Sequence, residues 1–294
     1  MHTEKWQARS VLWLATLSLA GIVGCPPPRE GILPPVSDDA PAHVVIERVN
    51  QNARSMDFLM RAGGVSASGK LVGASGKRES FDAVGTLYYR RPRNLYMELS
   101  HVLAGKIEVG SNDREFWYWE RLDEPRYYTG HHAAMAQAWE TEVPLRPDHL
   151  LDMLGLRELP AEAGGPGGPT FAVGEEHYFL NFFDRGPDGN VFQSKTVAIG
   201  RRPPFLVSRV TYYNPSGKPW MRAELKDYRP IEDTAVLAPR RIEIRSLEDQ
   251  SWINLEFSNV RPSDNPRVEQ ERILRSPLER GEKVGEIIRL DRPS

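Results

Sequence analysis

Alternation of apolar and polar side chains along much of this 294-residue chain is the feature that most restricts its fold. A two-residue period places successive side chains on opposite faces of a strand, so each such segment has one apolar and one polar face. The alternation covers residues 81–89, 95–100 and 106–109, and later residues 221–226, 241–245 and 253–258. Turn-forming residues separate these segments. The pattern therefore predicts half-buried antiparallel strands joined as a meander of hairpins.

Two segments depart from this period and predict short helices. The first precedes the strands, and Asp38 or Asp39 is a candidate cap ahead of Pro41. The second, residues 147–155, begins at a proline and ends at a glycine, as short helices often do. Their apolar faces consist of Val45, Ile46, Val49 and Ala53 in the first and of Leu150, Leu151 and Leu154 in the second. The second helix is expected to cover one face or one end of the sheet.

The N-terminus has the order of a secretory signal peptide. Basic residues near Lys5 and Arg9 precede an apolar stretch at 11–19 and then small residues up to Gly24. A permanent membrane-spanning helix would need about 20 apolar residues, so cleavage is predicted. Cys25 is the only cysteine, which excludes an internal disulfide. A general secretory signal followed by an incidental cysteine remains an alternative.

Residues 22–25, Ile-Val-Gly-Cys, resemble the lipobox of bacterial lipoproteins. The resemblance implies that residues 1–24 are removed and that Cys25 carries a diacylglyceryl group and a further acyl chain. These covalent lipids are the only cofactor-like groups expected. Pro26 follows the cysteine where an aspartate would favour the inner membrane, so the resemblance implies an outer-membrane anchor facing the periplasm. Residues 25–41 are rich in proline and predict an extended tether.

Composition limits the remaining possibilities. The 38 basic and 40 acidic residues give a net charge of -2, and the basic residues form no stripe, so no nucleic-acid partner is expected. The roughly 270 residues after Gly24 are enough for one large all-β domain or two smaller ones. The charged segment 262–294 is interrupted by Pro266, Pro277 and Pro293, which predicts little order there.

Residues 85–99 and 105–119 resemble the LolA/LolB superfamily of lipoprotein carriers and receptors. The first range reads as a strand, a turn at Arg91-Pro92-Arg93 and a second strand, and the second range as a strand, a turn and an aromatic strand. The resemblance implies a single domain over residues 42–261. It implies a mainly β fold, in which a strongly curved antiparallel sheet forms an incomplete barrel with a helical lid. It also implies an apolar cavity for acyl chains of lipids or lipoproteins, and transport or localisation of that cargo at a bilayer. Other envelope proteins are further candidate partners.

The apolar strand positions are the candidate lining of such a cavity, with Leu150, Leu151 and Leu154 as its lid. By themselves they are equally compatible with a solid core, because large aromatic residues usually fill space. On the loop 100–105, Leu103 matches the position of the apolar residue that LolB-type receptors are thought to insert into the membrane; burial under its own hairpin is the alternative. The lining candidates are Leu87, Tyr89, Leu95, Met97, Leu99, Ile107, Val109, Trp117, Trp119, Phe182, Tyr212, Leu225, Ile244, Leu255 and Phe257.

No catalytic or metal site is expected from the sequence. It contains no Gly-x-Ser-x-Gly elbow, no phosphate-binding Gly-Lys-Ser/Thr loop and no His-Glu-x-x-His helix. His131 and His132 are adjacent and would point to opposite sides of a strand. Glu175 and His177 would share a face, but a zinc site needs three or four ligands. Two functions remain: a non-enzymatic carrier of acyl chains, or an envelope scaffold or stress sensor that binds proteins through the same sheet.

Overall fold

The computed structural model describes residues 40–72, 78–101, 105–121, 125–132, 146–160, 168–186 and 189–290. The predicted signal peptide, Cys25 and most of the predicted tether lie outside these residues, as do Leu103 and the two candidate capping residues, Asp38 and Asp39. No helix among the described residues is long and apolar enough to cross a membrane.

Fourteen strands of the described chain belong to one sheet. The first group is β1 Met60–Val72, β2 Arg78–Arg90, β3 Asn94–His101, β4 Gly105–Ser111, β5 Glu115–Arg121 and β6 Arg126–His131. The second group is β7 Thr170–Val173, β8 His177–Arg185, β9 Val191–Gly200, β10 Val207–Tyr213, β11 Pro219–Pro230, β12 Leu237–Ser246 and β13 Trp252–Pro262, and β14 is Glu286–Arg289. Three helices accompany them in the part of the chain that the structure describes: α1 Ala42–Arg54, α2 Pro147–Met153 and α3 Pro266–Leu274.

The sheet consists of two meanders joined in its middle. Strands β1 to β6 follow one another as antiparallel neighbours, and so do β7 to β13. The first and last strands of these series, β1 and β13, pair antiparallel from Met60–Pro262 to Lys70–Trp252. Strand β14 pairs parallel with β6 and forms one edge, while β7 forms the other. The predicted meander of hairpins is confirmed, and the sheet is not closed.

The contacts of α2 show that the sheet is strongly curved. This helix packs against β4 and β5 of the first meander and against β10 and β11 of the second. In the order of the sheet β4 and β11 are six inter-strand steps apart, which would be about 29 Å in a flat sheet. A helix of seven residues is only about 10 Å long. The two meanders must therefore curl around α2, which lies on the concave side.

Helix α1 crosses from one meander to the other. Its buried face includes Val45, Ile46, Val49 and Ala53, as predicted, and it begins after Pro41 without a side-chain cap. At its start, the backbone N–H of Ala40 donates to the Tyr178 hydroxyl of β8 (3.0 Å). At its end, Arg91 of the β2–β3 turn donates to the carbonyl of Arg54 (3.0 Å). Between them, the Asn52 amide pairs with both backbone groups of Leu237 at 2.9 and 2.8 Å.

Helix α2 begins and ends close to where the sequence predicts. Pro147 occupies its first turn, where its missing N–H leaves no intrahelical bond unmade. Gly155 follows the helix with φ +65°, a conformation that glycine adopts without strain. A side chain there would also meet the Tyr228 hydroxyl at 2.5 Å. The predicted apolar residues Leu150, Leu151 and Leu154 are all buried against the concave face.

The segment after Pro262 has more structure than its composition predicts. It forms α3 and β14, and Ile273 and Val284 are buried against the convex face of the first meander. That face is aromatic, and its buried rings are those of Tyr88, Tyr96, Trp117, Trp119 and Tyr127. Charge and proline content alone favoured little order, but two apolar side chains and a row of aromatic partners stabilise the segment. We refer to residues 263–290 as the C-terminal strap.

Candidate functional site

The concave face brings most of the predicted lining residues together. One continuous cluster contains these residues and the three leucines of the predicted lid. Ile107 and Phe182 are partly buried and pack against it. The buried candidates in this cluster are Leu87, Tyr89, Leu95, Met97, Leu99, Val109, Tyr212, Leu225, Ile244, Leu255 and Phe257. Residues far apart in the sequence thus form a single apolar surface shared by both meanders.

Trp117 and Trp119 do not belong to that surface, and the expectation for them is wrong. Both lie on the convex side, where the C-terminal strap covers them. The residue between them, Tyr118, is the one that joins the concave cluster. Residues 116–119 are all aromatic, so a two-residue period cannot tell which face of β5 is concave. Gly110 pairs with Trp117 and has no side chain, which leaves room for the indole ring on the convex side.

The space between α2 and the sheet is filled. Among the described residues, a cavity of about 10 Å³ lies there, between Leu87 of the sheet, Leu154 at the C-terminal end of α2 and Phe257. This is about the smallest volume that holds one water molecule. In this conformation the leucines of α2 fill the space on the concave side of the sheet. A ligand larger than one water molecule that binds there therefore has to displace the helix.

Polar contacts fasten α2 to the second meander at Asp152. The carboxylate Oδ2 accepts hydrogen bonds from Lys195 Nζ of β9 (2.7 Å) and from the Tyr212 hydroxyl of β10 (3.0 Å). The other oxygen, Oδ1, accepts one from Arg157 Nη1 (2.9 Å). Burial disfavours the charged carboxylate, but Lys195 and Arg157 outweigh it and lower the pKa of Asp152. We call Asp152, Arg157, Lys195 and Tyr212 the latch.

His149 lies next to the latch among aromatic rings. Its ring centroid is 4.3 Å from that of Tyr212 and 5.6 Å from that of Trp220. Burial lowers the pKa of His149 to about 4, although the nearby Asp148 opposes this effect. The Asp148 carboxylate is itself paired with Arg146, at 3.0 and 2.8 Å. The imidazole is therefore neutral near pH 7 and protonates only in acid.

Sequence reasoning missed the latch, although one signal for it was present. Lys195, Val197 and Ile199 follow the two-residue period of β9, so the lysine shares the concave face with two apolar residues. A lysine on an otherwise apolar face requires a partner. The sequence does not show that this partner is Asp152, because the two residues are 43 positions apart.

The convex side of the first meander contains a second buried polar group. Glu108, only 2% exposed, accepts two hydrogen bonds from Arg280 Nη2 of the strap, both at 2.9 Å. Trp117 Nε1 donates to the same carboxylate at 2.9 Å. Further along the strap, Trp119 Nε1 donates to the carbonyl of Val284 at 3.1 Å. These contacts fasten the strap to the sheet.

The histidines noted in the sequence have structural partners. His132 Nε2 lies 2.8 Å from the carbonyl of Asn112, and His131 lies at the end of β6. His177 is partly buried with its ring 6.2 Å from that of Phe179. Within the described ranges, no group of three or more His, Cys, Asp or Glu side chains is placed to hold a metal ion.

No protein-family model and no curated protein matches the sequence. Among solved structures, the chain is similar to a LolA superfamily protein from Nitrosomonas europaea, with 11% identity, a TM-score of 0.49, and 81% of this chain and 99% of that chain covered. A DUF1329 family protein from Desulfovibrio piger matches with 9% identity and a TM-score of 0.48, covering 79% and 99%. A domain described as an outer membrane lipoprotein-sorting protein from Vibrio parahaemolyticus matches with 9% identity and a TM-score of 0.42, covering 78% and 98%.

Proposed function

We propose that this protein is a non-enzymatic binding protein that takes acyl chains of lipids or lipoproteins onto the concave face of its sheet. The observation that carries this proposal is that both meanders turn one continuous apolar face toward α2, a helix outside the sheet. An acyl chain that replaced the leucines of α2 would gain roughly 0.8 kcal/mol for each buried CH₂. A full chain could therefore compensate for displacing the helix.

The latch suits α2 for reversible displacement. If only apolar contacts held α2, its displacement would replace all of them by contact with water. The latch makes part of the contact polar, and water can hydrate these polar groups when they separate. Asp152 and Lys195 side chains are 12% and 20% exposed, so water already reaches the edge of this pair. The open form is then less unfavourable than exposure of a wholly apolar helix would make it.

Shortening a leucine side chain at the end of α2 should reveal the competition between this helix and an acyl chain. We expect Leu154→Ala to tighten binding of a fluorescent fatty acid by about tenfold or more, because loss of a buried leucine destabilises the closed form by at least about 2 kcal/mol. The measurement is a saturable fluorescence titration of the unlipidated Cys25→Ser protein, followed by displacement with unlabelled fatty acid. Leu278→Ala, which alters an exposed leucine of the strap, is the matched control and should change nothing. Absence of saturable binding in every form would refute the acyl-binding function.

The anchor belongs to the same proposal. We infer from the sequence that Cys25 carries lipid, that the domain is held at the outer membrane facing the periplasm, and that Leu103 contacts the bilayer during transfer. Several acyl chains on one residue give stable membrane attachment. Cys25→Ser should therefore abolish incorporation of labelled palmitate and move the protein from the membrane fraction to the released fraction. Retention of the label by the serine variant would contradict the anchor.

An envelope scaffold that binds proteins is the second candidate. The filled concave face favours it, since a cavity of about 10 Å³ is what a solid core leaves. The titration with Leu154→Ala separates the two functions. A scaffold has no reason to bind fatty acid more tightly when a core leucine is removed, beyond filling the new hole with a small apolar group.

A further inference from the structure

Two polar side chains of the sheet point at one oxygen atom on the concave side. Lys195 and Tyr212 are directly paired positions of the neighbouring strands β9 and β10. Lys195 Nζ lies 2.7 Å and the Tyr212 hydroxyl 3.0 Å from Oδ2 of Asp152. The lysine ammonium also lies over the ring of Phe182, 4.7 Å from its centroid. The donors thus belong to the sheet, and only the acceptor belongs to the helix.

Displacement of α2 would remove the acceptor and leave the donors behind. Lys195 would then present an unpaired charge on a surface formed by Val197, Ile199 and Phe182. Covering that surface with an uncharged ligand would bury the ammonium without a partner, which is strongly unfavourable. A ligand that brings its own anionic oxygen to the same place would avoid this cost. The geometry therefore favours ligands with an anionic head group over ligands with an uncharged one.

The neighbouring charges support the same conclusion. In the closed form, two carboxylates, Asp148 and Asp152, face three cations, Arg146, Arg157 and Lys195. Asp148 is engaged by Arg146 through two hydrogen bonds, so it does not serve Lys195. If Asp152 leaves, the cation on β9 has no described carboxylate of this cluster to replace it.

We propose that Lys195 and Tyr212 form a head-group site on the concave face, which binds a carboxylate or phosphate oxygen of an anionic amphiphile and which Asp152 occupies when the helix is closed. This inference rests on the proposed acyl-binding function and specifies its ligand class. Asp152 acts as an internal substitute for the head group. When the ligand binds, its anionic head group replaces the Asp152 carboxylate, and α2 is displaced in the same step.

The test compares amphiphiles with the same chain and different heads. Dodecanoate, dodecyl phosphate and dodecanol are each titrated against a fluorescent fatty acid on the unlipidated Cys25→Ser protein. The two anions are kept below their micellar concentrations and dodecanol below its solubility limit. We expect each anion to bind at least tenfold more tightly than dodecanol. Lys195→Met keeps the aliphatic stem and should remove this difference while displacement itself persists. Lys226→Met is the matched control, because Lys226 pairs with Glu224 of β11 and Glu243 of β12 on the other face of the sheet.

A second variant keeps the proposal testable if Lys195→Met folds poorly. Asp152→Asn retains the shape of the side chain but removes its charge, so it should tighten binding of all three compounds and preserve the preference for anions. A tenfold preference between dodecanoate and dodecyl phosphate would support the site and identify the ligand as carboxylate or phosphate. An unchanged anion preference in Lys195→Met, or equal binding of dodecanol and the anions to the unmutated site, overturns the head-group site alone. No displacement by any compound overturns the acyl-binding function itself.

Discussion

Replacing Arg280 with methionine is expected to lower the free energy of unfolding by about 3–5 kcal/mol, because it leaves a buried charge without its partner. The carboxylate of Glu108 is 2% exposed and receives both of its ionic hydrogen bonds from this arginine. Arg280 also bonds to Glu282 at 2.7 Å, so the strap loses a second contact. Urea unfolding at pH 7, followed by tryptophan fluorescence, measures the change.

Two further variants separate this effect from the general loss of an arginine. Arg229→Met removes an exposed pair with Asp227 and should cost less than about 1 kcal/mol. Combining Arg280→Met with Glu108→Leu removes both charges and should recover much of the stability. Equal losses for Arg280→Met and Arg229→Met would show that the strap is not held by this pair.

Acid should destabilise the protein through His149. Its pKa is about 4 in the folded protein and about 6.5 in an unfolded chain. Between these values the unfolded chain binds more protons, so stability falls as the pH falls from 6.5 to 4. At pH 5 the loss attributable to this residue is about 2 kcal/mol relative to pH 8. Urea unfolding at a series of pH values measures it.

The comparison that isolates His149 is between pH profiles. Glutamine cannot titrate in the His149→Gln variant. Between pH 8 and pH 5 the unfolding free energy of this variant should therefore fall by about 2 kcal/mol less than that of the original protein. His131→Gln changes an exposed histidine at the end of β6 and should retain the full dependence. Parallel profiles for the original protein and His149→Gln would mean that the imidazole is not held neutral beside the latch.

Local patterns predicted the parts of the fold that depend on neighbouring residues. Half-polar strands such as β3 show their inner face directly, since Leu95, Met97 and Leu99 are apolar and are buried in the concave cluster. Proline and glycine mark the ends of α2 in the same local way. The position of α2 on the concave side agrees with the expectation that it covers the sheet.

The candidate site was predicted less completely. Most of its apolar residues follow from the period of the strands, but the latch requires Asp152 to meet residues of β9 and β10. Trp117 and Trp119 were placed on the wrong face because every residue from 116 to 119 is aromatic. Where both faces of a strand are apolar, the period carries no information about which one is concave.

The sequence by itself determined the six half-polar strands β2, β3, β4, β11, β12 and β13, the face that each of them buries, and the helices α1 and α2, because these depend on side chains two to four positions apart. Only the tertiary structure decided which face of β5 is covered by the strap, that Arg280 reaches Glu108 across 172 positions, and that Asp152 meets Lys195. The physical reason is that a buried charge specifies that it needs a partner but not which one. The curvature of the sheet, which brings β4 and β11 to the same helix, selects that partner.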